Sequence, residues 1–115
     1  MKAIFIGFLG AALVPPTSAK FIGTTFYEPE VMLQMCKSDV ARGEAGFCTG
    51  YVIATEAGMR GSGEVCMPDG IEYEDMVRVV IDRIEDVLKQ NRDRRSIHSG
   101  YETQVALRLA WPCKK

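Results

Sequence analysis

Four cysteines and one histidine are the residues of this 115-residue chain best suited to chemistry. Cys36, Cys48, Cys66 and Cys113 could hold a metal, act as nucleophiles or pair with one another. Their spacing decides between these. No two form a CxxC pair, and His98 stands far in sequence from three of them, so the usual zinc-ligand pattern is missing. An even number of cysteines in a short exported chain reads instead as a disulfide framework. His98 is flanked by Ser96 and Ser99, but catalysis needs a nucleophile, a base and a group that orients them. Ser-x-His-Ser in a basic loop supplies no such set, and a solvated or helix-capping role suits the ring better. No phosphate-cradling glycine loop, HExxH pair or EF-hand pattern occurs. The expectation is a protein that is not an enzyme, with no catalytic residues, no metal and no cofactor.

Export is read from the first nineteen residues. Met1-Lys2 is a short positive start, 3–14 is an apolar run broken only by Gly7 and Gly10, and Pro15-Pro16-Thr17-Ser18-Ala19 is a small-residue end suited to signal peptidase. This predicts a signal peptide over 1–19, cleaved after Ala19, and a single domain over 20–115. The run is too short to cross a bilayer, which takes about 20 apolar residues. No Arg-Arg pair precedes it, against Tat export, and no cysteine marks the cleavage point, against a lipoprotein. The whole chain carries 14 Lys and Arg against 15 Asp and Glu. Such a balance gives no electrostatic footprint for nucleic acid or an anionic membrane.

The elements that must position the cysteines follow from hydrophobic periodicity. Pro29 suits a first helical position, and Glu28 and Glu30 favour the positive end of a helix dipole. Val31, Met32, Met35 and Cys36 share one face, predicting a helix over about 29–38. The polar stretch 38–46 reads as a loop. A second helix is expected over about 47–59, with large and small positions at Phe47, Tyr51, Ile53, Ala54, Ala57 and Gly58. Gly50 and Gly58 each cost about 1 kcal/mol against alanine, which points to close approach of another backbone, within the chain or across a dimer. The glycine-rich stretch 58–64 reads as flexible, and Pro68-Asp69-Gly70 as a turn.

The third helix, about 72–90, is the strongest. Met76, Val79, Val80, Ile84, Val87 and Leu88 form its apolar stripe, and Asp75, Arg78, Asp82, Glu85, Asp86 and Lys89 its polar face. Arg92-Asp93-Arg94-Arg95 is a basic knot in a loop. Ser96 or Ser99 then caps a last helix over about 100–111, with Tyr101, Val105, Ala106, Leu109 and Ala110 on one face and Pro112 as its stop. The fold class expected is all-α, a compact bundle of four or five helices stapled by two disulfides.

Connectivity chooses the bridges. Short connections make consecutive helices antiparallel neighbours. Cys36 near the end of the first helix then meets Cys48 near the start of the second. Cys66, before the third helix, meets Cys113, where the fourth returns. Either other pairing would link opposite ends of helices roughly 22 Å long, whereas a disulfide needs Cα atoms within about 7 Å. The premise is an up-down arrangement without steep crossings.

The order of motifs adds a resemblance. After the leader and the cysteine of the first helix come Cys48-Thr49-Gly50-Tyr51-Val52-Ile53-Ala54, then Cys66-Met67-Pro68-Asp69-Gly70-Ile71, then an amphipathic helix. Last is Ala106-Leu107-Arg108-Leu109-Ala110-Trp111-Pro112-Cys113. This resembles the Rap/Tai immunity proteins of type VI secretion systems, whose pattern has C-x-G-Y-I-x-G, C-x-P-x-G and A-L-x-x-A-W-P-C elements. The match covers nearly all of 20–115, and the closing element is its most specific part. Thr55 stands near where the family tends to have glycine, and Glu72 where a small hydroxyl cap is common. The resemblance implies a compact helical periplasmic protein, often a homodimer, that binds a peptidoglycan amidase effector and occludes its active-site cleft. Specificity in such pairs lives in variable surface. The contact residues expected here are Arg60, Ser62 and Glu64 in one loop, Arg92, Asp93, Arg94, Arg95, Ser96 and His98 in another, and the polar face of the third helix. The alternative is an orphan periplasmic interaction module without a toxin partner. A small hydrolase built on His98 is the weakest reading.

Overall fold

The computed structural model describes residues 28–90 and 97–114. The leader expected over 1–19 lies outside the described residues, as do Arg92, Asp93, Arg94, Arg95 and Ser96. Four helices make up the described fold: α1 (Pro29–Arg42), α2 (Phe47–Gly61), α3 (Tyr73–Gln90) and α4 (Ser99–Ala110).

Helix α1 starts at Pro29 with Glu30 in its first turn. It runs on into the polar stretch 38–46 expected to be loop, as far as Arg42. Met32, Cys36 and Asp39 lie on its buried face, so Asp39 continues the stripe that the apolar residues begin. The helix ends where Gly43 takes a left-handed φ of 64°, a conformation that glycine adopts without a Cβ penalty. Helix α2 likewise outlasts its expected end at 59. A Cβ added at Gly50 or Gly58 would meet nothing within 4 Å. Among the described residues, the close approach of a backbone from within the chain, expected at these glycines, is therefore absent.

In α3 the buried residues are Met76, Val77, Val80, Ile81, Ile84 and Val87. Val79 and Leu88, expected in the stripe, are half-buried at its edges. Helix α4 is capped by His98, whose side chain accepts a hydrogen bond from the Tyr101 backbone N–H at 3.3 Å. Ser99, expected as a cap, is instead its first residue and fully buried. The phase of α4 also differs from expectation. Tyr101 and Leu109 are 59% and 68% exposed, while Glu102 and Thr103 are buried. Both polar side chains are satisfied inside. Glu102 Oε1 accepts from Arg83 Nε at 2.9 Å, and the Thr103 hydroxyl donates to the Ser99 carbonyl at 2.8 Å.

Helices α3 and α4 form an antiparallel hairpin. Arg83 meets Glu102 midway, and the Cys66 N–H, just upstream of α3, donates to the Trp111 carbonyl after α4. Helix α1 is antiparallel to α3, with Leu33 beside Leu88 and Val40 beside Val77. Helix α2 packs against each of the other three helices. Its start borders the first turns of α3 through Thr49, Tyr73 and Val77. Its exit borders the end of α4 through Glu64 and Arg108, 3.1 Å apart. Near its start, the Tyr51 hydroxyl lies so close to Gly100 that a Cβ there would come within 2.9 Å, so α2 also reaches the opening turn of α4. Its Val52 and Met59 join Met32, Val80, Ile84 and Leu107 in one core.

The bridges are Cys36–Cys48 and Cys66–Cys113, with Cα separations of 5.0 and 4.9 Å. The expected pairing holds. It needed only the short α1–α2 junction and the antiparallel α3–α4 hairpin, and both are present. The second bridge spans 47 residues, worth about 4 kcal/mol in the chain-entropy model.

Candidate functional site

The expected contact residues fall on three surfaces. At the exit of α2, Arg60, Ser62 and Glu64 are exposed, yet each is engaged within the chain. Arg60 pairs with Glu56 at 3.1 Å. Glu56 is itself buried, and its Oε2 finds no hydrogen bond among the described residues. The Ser62 hydroxyl donates to Glu64 Oε2 at 2.7 Å, and Glu64 Oε1 accepts from Arg108 at 3.1 Å. The Ser62 hydroxyl and then the Arg108 guanidinium hold the Glu64 carboxyl below its ordinary pKa. The Glu64 N–H reaches back to the Met59 carbonyl at 2.9 Å. These bonds close the end of α2, where the glycines had suggested a flexible stretch.

The second surface retains only His98, the cap of α4, among the described residues. The third, the outer face of α3, carries Asp75, Arg78, Asp82, Asp86 and Lys89 in the open. Glu74 pairs there with Arg78 at 2.8 Å. Glu85 bonds Lys37 on α1 at 2.6 Å, which lowers its carboxyl pKa.

The structure brings together a fourth region that periodicity does not show, the junction of α1, α2 and the start of α3. At its centre is Asp39, 5% exposed. Its Oδ2 accepts from the Gly46 N–H at 3.1 Å, the Thr49 N–H at 2.8 Å and the Thr49 hydroxyl at 2.7 Å. A carboxylate on α1 thus caps α2, whose own N-cap, Gly46, has no side chain. A Cβ on Gly46 would lie 2.1 Å from Asp39 Oδ1, so the cap requires glycine there. Beside Asp39 opens a mostly apolar hollow of about 160 Å³, with Val40, Ala45, Tyr73 and Val77 among its walls. The one signal for it in the sequence is Tyr73, an aromatic residue set among the acids of a helix start.

Fold and surface together define a disulfide-stapled helical scaffold with ion pairs at the exit of α2 and along α3. A family model of the Rap1a immunity proteins matches residues 30–113, and the chain belongs to that family. The family suggests an immunity function in type VI secretion, implies a toxin effector as partner, and is generally non-enzymatic. No curated protein and no solved structure gives a significant match. Among the described residues no helix is long and apolar enough to cross a membrane.

Proposed function

We propose that this chain is a periplasmic immunity protein that binds a peptidoglycan amidase injected through a type VI secretion system and occludes its active-site cleft. The observation that carries this reading is the family match over residues 30–113. Two further features support it. The leader pattern of 1–19 directs export, with cleavage after Ala19. The two bridges persist in an oxidising compartment such as the periplasm. A stapled scaffold also suits a stoichiometric inhibitor, because a pre-organised surface loses less conformational freedom on binding. In this reading the contacts come from the exit of α2 (Arg60, Ser62, Glu64), the 92–98 stretch and the outer face of α3, and the protein acts as a homodimer.

The test is a pull-down from periplasm followed by a cell-wall hydrolysis assay with and without the protein. The expected result is capture of an amidase, loss of its hydrolytic activity at one equivalent, and rescue of cells that express it in the periplasm. Full hydrolysis in the presence of excess protein by every amidase encoded near the gene would overturn the reading.

A further inference from the structure

We infer that the hollow at the junction of α1, α2 and α3 is a receptor for one arginine side chain of the protein's partner. The inference rests on the proposed immunity function for the identity of that partner, the effector toxin. The space, about 160 Å³, is about ten times what a single water needs (roughly 10–15 Å³). Val40, Ala45 and Val77 offer apolar surface to an aliphatic stem. The ring of Tyr73, 59% exposed, is free to stack on a guanidinium, an arrangement that favours arginine over lysine.

Charge selects a cation. The carboxylates of Asp39, Glu44 and Glu74 border the hollow, and Glu72 neighbours Tyr73. Two of them have a local partner. Glu74 meets Arg78, and Asp39 Oδ1 lies 3.6 Å from Arg42, longer than a hydrogen bond. The carboxylates of Glu44 and Glu72 have no ion pair among the described residues. An exposed tyrosine over an apolar hollow bordered by the unmatched carboxylate of Glu44, with Glu72 just outside its walls, is the counterpart of an arginine, a residue enriched with tyrosine at interface hot spots. A carboxylate also takes a guanidinium in fork geometry through its two oxygens.

The test uses the mature chain labelled with nitrogen-15 and Nα-acetyl-arginine amide as probe, with the citrulline analogue as its neutral isostere. A fragment of this size binds in the millimolar range at best. The expected result is a saturable shift of the Ala45, Thr49 and Val77 amides with the arginine probe, at least about tenfold weaker with citrulline. Glu44→Gln combined with Glu74→Gln, both exposed, weakens the arginine response several-fold at unchanged melting temperature. Equal response to citrulline, or no local response, overturns the assignment. So do shifts that appear on concentrating the protein without probe, since they mean the hollow faces a second copy. This arm needs no toxin, so its failure leaves the immunity reading standing. With an amidase in hand, Glu44→Lys lowers its affinity about tenfold, and unchanged affinity also overturns the inference.

Discussion

Asp39 Oδ2 accepts both the backbone N–H and the hydroxyl of Thr49, at 2.8 and 2.7 Å, so one carboxylate on α1 holds the first turn of α2. Asp39→Ala leaves those two buried donors without a partner, each costing about 1–3 kcal/mol. The expected loss is about 2–6 kcal/mol in urea unfolding, with Asp39→Asn intermediate because it keeps one carbonyl acceptor. A loss within error in both variants would show that the junction is held by the neighbouring disulfide alone.

Two glycines of the same region should respond in opposite directions to alanine. At Gly46 the new Cβ would overlap Asp39 Oδ1 and push the cap apart, so the melting temperature falls. At Gly50 the Cβ meets nothing within 4 Å, and the substitution stabilises α2 by about 0.5–1 kcal/mol. Comparing the melting curves of the two variants checks both signs.

Arg60 and Arg108 each pair with a glutamate at 3.1 Å, but the partner side chains differ, Glu56 at 6% exposure and Glu64 at 46%. Arg60→Ala strands a buried carboxylate and should cost about 1–3 kcal/mol, whereas Arg108→Ala should cost under about 1 kcal/mol. Equal losses in chemical denaturation would contradict the difference in burial. Binding tests at Arg60 should therefore use Arg60→Lys, which keeps the charge.

The two bridges differ in access. Cys36 and Cys48 are fully buried, while Cys66 is exposed and Cys113 partly so. Mild reductant should open Cys66–Cys113 first, with mass spectrometry of alkylated peptides as the readout. Amides near Trp111 and the start of α3 should then exchange faster, while the α1–α2 junction keeps its protection. A melting temperature unchanged after full reduction would refute the stapling role.

The exit of α2 should weaken in acid. Ser62 and then Arg108 lower the folded pKa of Glu64 relative to the ordinary value of 4.5. Its contribution is therefore present at neutral pH and is lost as pH falls below 4.5 through the lowered value. Lys37 acts on Glu85 in the same direction. Both groups are exposed, so the effect is small. Glu64→Gln should lower the melting temperature slightly at pH 7, with the gap from the parent protein shrinking as the pH falls below 4.5. A gap that grows in acid would reverse the sign argued here.

By itself the sequence determined the helices and the bridges. The stripe of α3 repeats its apolar residues over five turns, enough for periodicity to show both the helix and its inner face. The cysteine pairs follow from connectivity between neighbouring helices, and the closing Ala-Leu-Arg-Leu-Ala-Trp-Pro-Cys carries the family. Tertiary packing decided what depends on partners distant in the chain. Asp39 reads as loop because its donors, Gly46 and Thr49, meet it only after α1 and α2 fold together. Glu102 and Thr103 read as surface because Arg83 and the Ser99 carbonyl supply their bonds inside the fold. The hollow between Asp39 and Val77 has walls from α1, the α1–α2 junction and the start of α3, and only their packing together forms it. Periodicity reports which face a helix buries; it carries no information on which polar groups will meet there, and those meetings set the junction, the phase of α4 and the candidate arginine receptor.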